Sequence, residues 1–393
     1  MMTQSSGHDP DRGLGRLVDR RFSDSVKWGL YDSDVLPLWV ADMDFLSPEP
    51  VIRALRDRVD HGVFGYGKEP AELRPVIVER LQRLYGWQVA PEALVFVPGV
   101  VTGFNQAAHA VTSPGDGVLV QTPVYFPMLY APGNVGCTLD EMELTRKDDG
   151  SYEIDFDAFE AAITDRTRVF LLCSPHNPVG RVFRQDELER MAEVCLRHDV
   201  VICSDEIHCD LVFQGYAHLP IASLAPEIAD RTITLIAPSK TYNIAGLHFS
   251  VAIIQNAELR EKYQAASAGL VGRPGILSAV AALAAYRDGQ PWLDEVLRYL
   301  EVNADYVTEY VNSQLPGVKM WRPEGTYLGW LDCREAGIEG PPHQFFLQQA
   351  RVALNEGASF GRGGEGFARL NFGCPRPTLY EALERMRGAL LQL

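Results

Sequence analysis

The sequence predicts an α/β fold in which a parallel sheet, covered by helices on both faces, is joined to a smaller α+β domain. Short continuous apolar runs, typical of strands buried on both faces, alternate along the chain with segments of helical periodicity. The 393 residues suffice for two or three domains with substantial cores. The residues that follow the apolar runs suit one chemistry, which connects the fold to a function.

Five apolar runs are predicted strands, and two of the connecting segments have clear helical patterns. The runs cover residues 93–99, 117–123, 168–175, 200–206 and 232–240, and the helices cover residues 101–113 and 185–199. In the second helix, apolar residues recur at helical spacing at Leu188, Met191, Ala192 and Cys195. Short strands that alternate with helices indicate parallel pairing.

The flanking segments complete this organisation. A polar arm (1–30) and a helical region (50–84), which the turn-like stretch HGVFGYGKEP interrupts, precede the first strand. Two long helices, near residues 274–288 and 291–314, follow the last strand. The pattern strand, helix, strand, strand, helix over residues 318–393 indicates the smaller α+β domain.

Composition excludes several classes of protein. The formal net charge is −16, so nucleic acid or an anionic membrane surface would be repelled, and we expect neither as a partner. Residues 1–13 lack the apolar core of a signal peptide, and no window approaches the roughly 18 apolar residues of a membrane span. The seven cysteines are scattered without a CxxC pair, which predicts reduced thiols in a cytoplasmic protein.

Polar groups of complementary chemistry follow the predicted strands. In open α/β sheets, ligands bind beyond the carboxyl ends of the parallel strands, so the residues there should lie along one rim. These residues are Val100 and Val101, which open a helix, then Tyr125, His176 with Asn177, Asp205 and Lys240. The sequence therefore predicts that a helix N-terminus, an aromatic ring, an amide, a carboxylate and a lysine converge.

This set suits a flat, charged, phosphorylated heterocycle. Backbone N–H groups after Gly99 can hold a phosphate with help from the helix dipole, and Tyr125 can stack on a ring. A buried Asp205 can keep a ring nitrogen protonated, since opposite charges favour each other's ionised forms. A desolvated Lys240 becomes a nucleophile that can form a Schiff base. The cofactor that uses all of these groups is pyridoxal 5'-phosphate.

Each of these residues also has an ordinary interpretation. A lone lysine after a strand is usually a solvated loop residue, and a lone tyrosine is more often a packing residue. A metal cluster is a further alternative, formed by Asp205, Glu206, His208, Cys209 and Asp210. Neighbouring ligands on a strand end would point to alternating faces, which disfavours a metal site, and we predict none. The joint occurrence of all five groups on consecutive strand ends favours the cofactor.

Several motifs carry a resemblance to a known family. Three of them are SPHNPVGRVF (174–183), SDEIHCDLVF (204–213) and SKTYNIAGL (239–247). With these motifs the chain resembles the fold type I pyridoxal-phosphate enzymes of the class I/II aminotransferase superfamily, which have the fold of aspartate aminotransferase. Within that superfamily it is most similar to the MalY/PatB-type cystathionine β-lyases, on the motifs LPLWVADMDF (36–45), FGYG (64–67) and FARLNFGCPR (367–376).

The resemblance implies a mixed, mostly parallel sheet in the large domain and a role for each residue at its rim. Lys240 bonds the cofactor covalently, and Asp205 pairs with the pyridine nitrogen. Asn177 hydrogen-bonds the phenolic oxygen of the cofactor, and Tyr125 stacks on its ring. These four residues are therefore expected to hold the heterocycle.

The phosphate contacts that the resemblance implies are less typical. The backbone amides of Val100 and Val101 are expected to hold the phosphate. Typical aminotransferases have Tyr three residues after the Asp and Arg eight residues after the Lys, where this chain has His208 and His248. Phosphate binding is then expected to rely on the amides, on Ser239 and on His248. We include His208 among the cofactor-binding residues, with a packing role as the alternative.

The same resemblance implies a substrate site and a dimer. Arg369 forks onto the substrate carboxylate, a bidentate role that suits Arg, and a buried salt bridge is the alternative for it. The loop from Trp39 to Phe45, with Asp42, lines the substrate entrance. Tyr66 reaches the phosphate and the substrate from the neighbouring subunit, so the active unit is expected to be a homodimer.

These expectations define a domain organisation and an activity. Residues 1–50 form an N-terminal arm and part of the small domain, residues 51–290 the large cofactor-binding domain, and residues 291–393 the rest of the small domain. The expected enzyme is a C–S β-lyase that converts L-cystathionine or a related S-substituted L-cysteine to a thiol, pyruvate and ammonia. The alternatives are an aminotransferase with the same cofactor and, from another class, a cofactor-binding regulatory protein with little turnover.

Overall fold

The computed structural model describes Leu14 and residues 17–393. The prediction that residues 1–13 carry no signal peptide, and the first part of the predicted polar arm, lie outside the described residues. A search of the described helices found none long and apolar enough to cross a membrane.

The large domain is organised around a mixed sheet. In the described part of the chain, its seven strands lie in the order Leu94–Val97, Ser250–Ile253, Thr232–Ile236, Val201–Asp205, Thr167–Cys173, Gly117–Thr122 and Thr138–Glu143. All neighbours are parallel except Ser250–Ile253, which is antiparallel to both of its neighbours. The predicted mixed, mostly parallel sheet is therefore confirmed.

Two strands of this sheet were not predicted. Thr138–Glu143 has the sequence TLDEME, in which half of the residues are acidic, and it lies at the edge of the sheet. An edge strand exposes more of its side chains than a central strand, so no apolar run marks it. Ser250–Ile253 has only four residues, which is too short for a clear pattern.

Both faces of the sheet are buried, which explains why the strands read as continuous apolar runs. Successive side chains of a strand point to opposite faces. Val169 and Leu171 therefore pack in one core cluster with Phe104, while Phe170 packs in a second cluster with Met191. The helices around the sheet are Glu49–Asp60, Leu73–Tyr85, Val100–Val111, Phe126–Asn134, Phe156–Ala161, Gln185–Arg197, Pro226–Asp230, Ala257–Ala266 and Ile276–Asp288.

The C-terminal part of the chain has the predicted α+β character. The long helix Gln290–Gln314 leads to an antiparallel sheet whose strands lie in the order Lys319–Met320, Leu328–Asp332, Phe367–Asn371 and Asn355–Glu356. The helix Arg376–Leu390 closes this region. Leu36–Pro37 pairs in parallel with Val352–Ala353, so part of the N-terminal segment packs here. Domain boundaries at residues 50 and 290 stay a prediction.

Candidate active site

A cavity of about 460 Å³ lies at the carboxyl ends of the parallel strands. Ten of the twelve predicted site residues line it, namely Trp39, Val100, Val101, Tyr125, Asn177, Asp205, His208, Ser239, Lys240 and Arg369. The strands Thr167–Cys173, Val201–Asp205 and Thr232–Ile236 are parallel, so the residues that follow them meet at one edge. The convergence that the sequence predicts is therefore present.

Lys240 lies on the short helix Pro238–Thr241, four residues beyond the end of a buried strand. Its Nζ donates a hydrogen bond to the carbonyl oxygen of Ala41 at 2.6 Å. Burial and the nearby positive charge of Arg369 lower the pKa of Lys240 to about 8, although Asp42 and Asp205 act in the opposite direction. The amine is therefore far more available as a nucleophile or base than that of a surface lysine.

Asp205 is the last residue of its strand and is buried. Its Oδ1 accepts a hydrogen bond from the backbone N–H of Ile207 at 3.0 Å. Burial raises the pKa of Asp205 to about 7, against the effects of this hydrogen bond and of Lys240. A positively charged group placed beside Asp205 would favour its ionised form, which suits a pyridinium nitrogen.

The guanidinium of Arg369 is buried among neutral acceptors. Nη1 donates to Asn177 Oδ1 at 2.9 Å, and Nη2 donates to Asn355 Oδ1 at 2.6 Å and to the carbonyl oxygen of Trp39 at 3.0 Å. Among the described residues, Nε has no hydrogen-bond partner. Burial lowers the pKa of Arg369 to about 10. A buried cation in this environment provides a binding site for a carboxylate.

The helix Val100–Val111 directs its N-terminus at the cavity. Gly99, the residue before the helix, has φ of 112°, a region that favours glycine. Val97 is paired with Ser250 across two antiparallel strands, and Gly99 and His248, which lie just beyond this pair in the chain, both line the cavity. The helix N-terminus, His248 and Ser239 together form the part of the cavity best suited to an anion.

His208 is buried at the cavity wall and makes an edge-to-face contact with the ring of Tyr327, at 6.1 Å between ring centroids. Its Nδ1 has no hydrogen-bond partner among the described residues. Burial, together with the charges of Lys240 and Arg369, lowers the pKa of His208 to about 3. His208 is therefore a neutral imidazole with free hydrogen-bonding capacity in the cavity.

The two other predicted site residues, Tyr66 and Asp42, are not among the residues that line the cavity. Tyr66 is fully exposed on the segment between the helices Glu49–Asp60 and Leu73–Tyr85. The carboxylate of Asp42 is paired with Arg20 at 2.7 Å and with Lys27 at 3.4 Å. Their roles at the substrate site stay predictions.

The sequence analysis missed several residues of the site. Asn355 and Thr102 line the cavity, and Asn355 also holds Arg369. Asn355 is a polar residue directly after the apolar run from Val352 to Leu354, a signal that applies to strand ends in the small domain as it does in the large one. Thr102 follows Val101 in the first turn of the helix at the phosphate end.

The fold and the cavity define a class of two-domain α/β proteins that bring a lysine and an aspartate together at the carboxyl ends of a seven-stranded sheet. The chain belongs to the aminotransferase class I and II family, whose model matches residues 33–386. The family predicted from the motifs is therefore confirmed.

Several relatives are similar over almost their whole length. The chain is 42% identical to cystathionine beta-lyase PatB of Bacillus subtilis over 95% of this chain and 98% of PatB. It is 45% identical to OvoB in a solved structure, with a TM-score of 0.91, over 95% of this chain and 97% of that one. Cystalysin from Treponema denticola, whose structure contains a pyridoxal 5'-phosphate cofactor, is 35% identical, with a TM-score of 0.92, over 96% of this chain and 98% of cystalysin.

Proposed function

We propose that this chain is a pyridoxal-phosphate-dependent C–S β-lyase that cleaves L-cystathionine or related S-substituted L-cysteines. The observation that carries the proposal is one cavity in which an amine of lowered pKa on Lys240 lies with a buried Asp205 and a buried Arg369. The similarity to PatB, which is named a cystathionine β-lyase, supports this reaction over others of the family.

The donor set fits the cofactor. A phosphate suits the N-terminus of the helix Val100–Val111, and a protonated pyridine nitrogen suits the buried carboxylate of Asp205. The orphaned Nδ1 of His208 offers a further hydrogen bond, and Lys240 supplies the amine for covalent attachment. When bound, the cofactor supplies a protonated ring that withdraws electrons from the substrate Cα.

The residues of this chain would then position the substrate and move its protons. Arg369 binds the substrate α-carboxylate through its guanidinium, which fixes the Cα–H bond relative to Lys240. The Lys240 amine removes the Cα proton, a contribution of about 10²–10⁴-fold for a positioned base. With a pKa of about 8, a useful fraction of this amine is neutral near pH 7 to 8. Cleavage consumes one water and releases the thiol, pyruvate and ammonia.

We also propose that the active unit is a homodimer in the cytoplasm. Tyr66 lies in a group of exposed apolar side chains with Val63 and Phe64, at 62% and 59% exposure. Such a group on the surface of one chain is typical of an interface. In this arrangement Tyr66 would reach the cavity of the neighbouring subunit, where it would contact the phosphate and the substrate.

The direct test is replacement of the proposed base. Lys240→Ala should abolish thiol release and the covalent attachment that borohydride traps, while the protein stays folded. The surface variant Lys262→Ala, whose side chain pairs with Glu258 in solvent, is the matched control and should keep both properties. Full activity of Lys240→Ala would overturn the proposed function.

The alternative function is amino transfer, which the family description itself favours. The two reactions differ in their co-substrate, because a lyase needs no keto acid. S-substituted cysteines are incubated with the holoenzyme alone, and thiol and pyruvate are measured. Release of both supports the lyase, whereas activity that appears only with an added keto acid supports the aminotransferase. Cofactor binding without either reaction would favour a regulatory protein.

A further inference from the structure

The carbonyl oxygen of Ala41 is shared by two side chains that come from distant parts of the chain. Lys240 Nζ donates to it at 2.6 Å, and Tyr327 Oη donates to it at 2.9 Å. A carbonyl oxygen has two lone pairs, so the two donors fully satisfy it. Ala41 itself lines the cavity, so this pair of hydrogen bonds lies at the site rather than behind it.

The peptide units on either side of Ala41 are held as well. Asn371 Nδ2 donates to the carbonyl oxygens of Val40 at 2.5 Å and of Asp42 at 2.7 Å. Arg369 donates to the carbonyl oxygen of Trp39. Consecutive carbonyls with side-chain donors leave this loop little freedom to rotate a peptide plane. The Ala41 carbonyl therefore has a defined direction.

An ion-pair cluster anchors the far side of the loop. Asp44 is buried and accepts from Lys27 Nζ at 2.8 Å and from Arg20 Nη1 at 2.6 Å. Its Oδ1 also accepts from Trp28 Nε1 at 2.8 Å. The loop is therefore held on two sides. The segment from Arg20 to Trp28 binds it on the side away from the cavity, and Lys240, Tyr327 and Arg369 bind it on the cavity side.

Tyr327 is itself fixed in place. Its side chain is fully buried, and its backbone carbonyl accepts from the N–H of Phe372 at 2.9 Å, directly after the strand that carries Arg369. Burial raises the pKa of Tyr327 well above its ordinary value, so the phenol stays protonated and donates. The Tyr327 hydroxyl is therefore a permanent support for the Ala41 carbonyl.

We propose that Tyr327 is a positioning residue for Lys240, because it fixes the carbonyl to which the Lys240 amine donates. When a neutral amine donates one N–H to a fixed carbonyl, its nitrogen lone pair can point in only a restricted set of directions. That lone pair is what reacts, both in nucleophilic attack and in proton removal. This inference rests on the proposed function, in which Lys240 performs both tasks. Tyr327 touches neither substrate nor cofactor in this role.

The test compares Tyr327→Phe with Tyr152→Phe, each of which removes one buried phenolic hydroxyl that takes part in a hydrogen bond within the protein. Tyr152 is also buried, and its hydroxyl accepts a hydrogen bond from Trp330 Nε1 at 3.0 Å; neither residue lines the cavity. Protein stripped of cofactor is mixed with pyridoxal 5'-phosphate, and the covalent bond to Lys240 is trapped with borohydride and counted by mass spectrometry over time. Tyr327→Phe should form this bond about tenfold more slowly than the unmodified protein, and Tyr152→Phe at an unchanged rate.

Two further measurements separate positioning from general damage. The affinity for 4-deoxypyridoxine phosphate, which lacks the aldehyde and cannot bond to Lys240, should stay within about twofold in both variants, and both should melt at similar temperatures. In turnover, Tyr327→Phe should lower kcat about tenfold with KM nearly unchanged.

Three results would overturn the inference while the proposed function stands. They are an unchanged bonding rate in Tyr327→Phe, an equal loss in Tyr152→Phe, or a fall in analogue affinity that matches the fall in bonding rate. Failure of the unmodified protein to form the bond at all would instead overturn the proposed function, and this inference with it.

Discussion

Two lysines of this protein are withdrawn from solvent, Lys27 fully and Lys240 partly, and their surroundings differ in the charges beside them. Lys27 lies beside two carboxylates, with Nζ at 2.8 Å from Asp44 and 3.4 Å from Asp42. Lys240 donates to a neutral backbone carbonyl, and its cavity also contains the cation Arg369. Burial acts against the charge of both, but the carboxylates outweigh it at Lys27 and raise the pKa, whereas the pKa of Lys240 falls to about 8.

The difference indicates two roles for a lysine that is withdrawn from solvent: Lys27 stabilises the fold, and Lys240 is available for chemistry. The cluster around Lys27 is satisfied internally, so its removal should harm the fold. Arg369, the buried cation of the cavity, has no carboxylate partner among the described residues, since its hydrogen bonds all go to neutral oxygens. That part of the molecule is costly to keep folded and gains its partners only from ligands.

The largest effect is expected from a variant that breaks the ion pairs of Lys27. Lys27→Met keeps most of the volume but leaves Asp44 buried without its lysine, which should lower the free energy of unfolding by about 3–5 kcal/mol. Denaturant unfolding measures this change. The control Lys262→Met removes an exposed lysine that pairs with Glu258 and should cost at most about 0.5 kcal/mol. Equal losses in the two variants would contradict the role given to Lys27.

At the cavity, removal of a lysine is expected to raise the free energy of unfolding, not to lower it. The pKa of Lys240 falls from 10.5 to about 8 on folding, which means that the charged amine destabilises the folded protein. This cost in stability is fully present below pH 8 and vanishes as pH rises to about 10.5. Lys240→Met, measured without cofactor, should therefore gain about 1–2 kcal/mol of stability at pH 7. The gain should shrink between pH 8 and 10.5. A gain that is independent of pH would indicate better packing and not relief of a buried charge.

The smallest effect is expected from a variant that gives Arg369 a carboxylate partner, as Lys27 already has. Asn355→Asp places a carboxylate at the position of the amide oxygen that lies 2.6 Å from Arg369 Nη2. Since it would compete with the substrate carboxylate, KM should rise about tenfold while kcat changes little. Asn134→Asp adds the same charge on the exposed end of a helix and serves as the control. An unchanged KM in Asn355→Asp would argue against Arg369 as the carboxylate site.

Much of the site could be predicted because it follows from the strand ends. Asp205 and Lys240 each come after a continuous apolar run, and runs of this kind form parallel strands whose carboxyl ends share one edge. Asn177 follows the same rule. Asn355 escaped because it belongs to a short strand of the small domain, which the chain brings to the cavity only through tertiary packing.

Lys27 shows most clearly where sequence reasoning stops. It occurs in a polar N-terminal segment, where a lysine is ordinarily solvated, yet it is among the most buried side chains of the described structure. Its burial depends on Asp42 and Asp44, which are 15 and 17 residues away and which only the folded loop places around it.

By itself, the sequence determined the fold class, the family and the residues at the rim of the large sheet, because hydrophobic periodicity and local motifs are properties of short segments. Only the tertiary structure decided which charges are paired and which are left for a ligand. Pairing depends on distances between segments far apart in the chain, and a backbone acceptor such as the Ala41 carbonyl has no side-chain identity that a sequence could reveal.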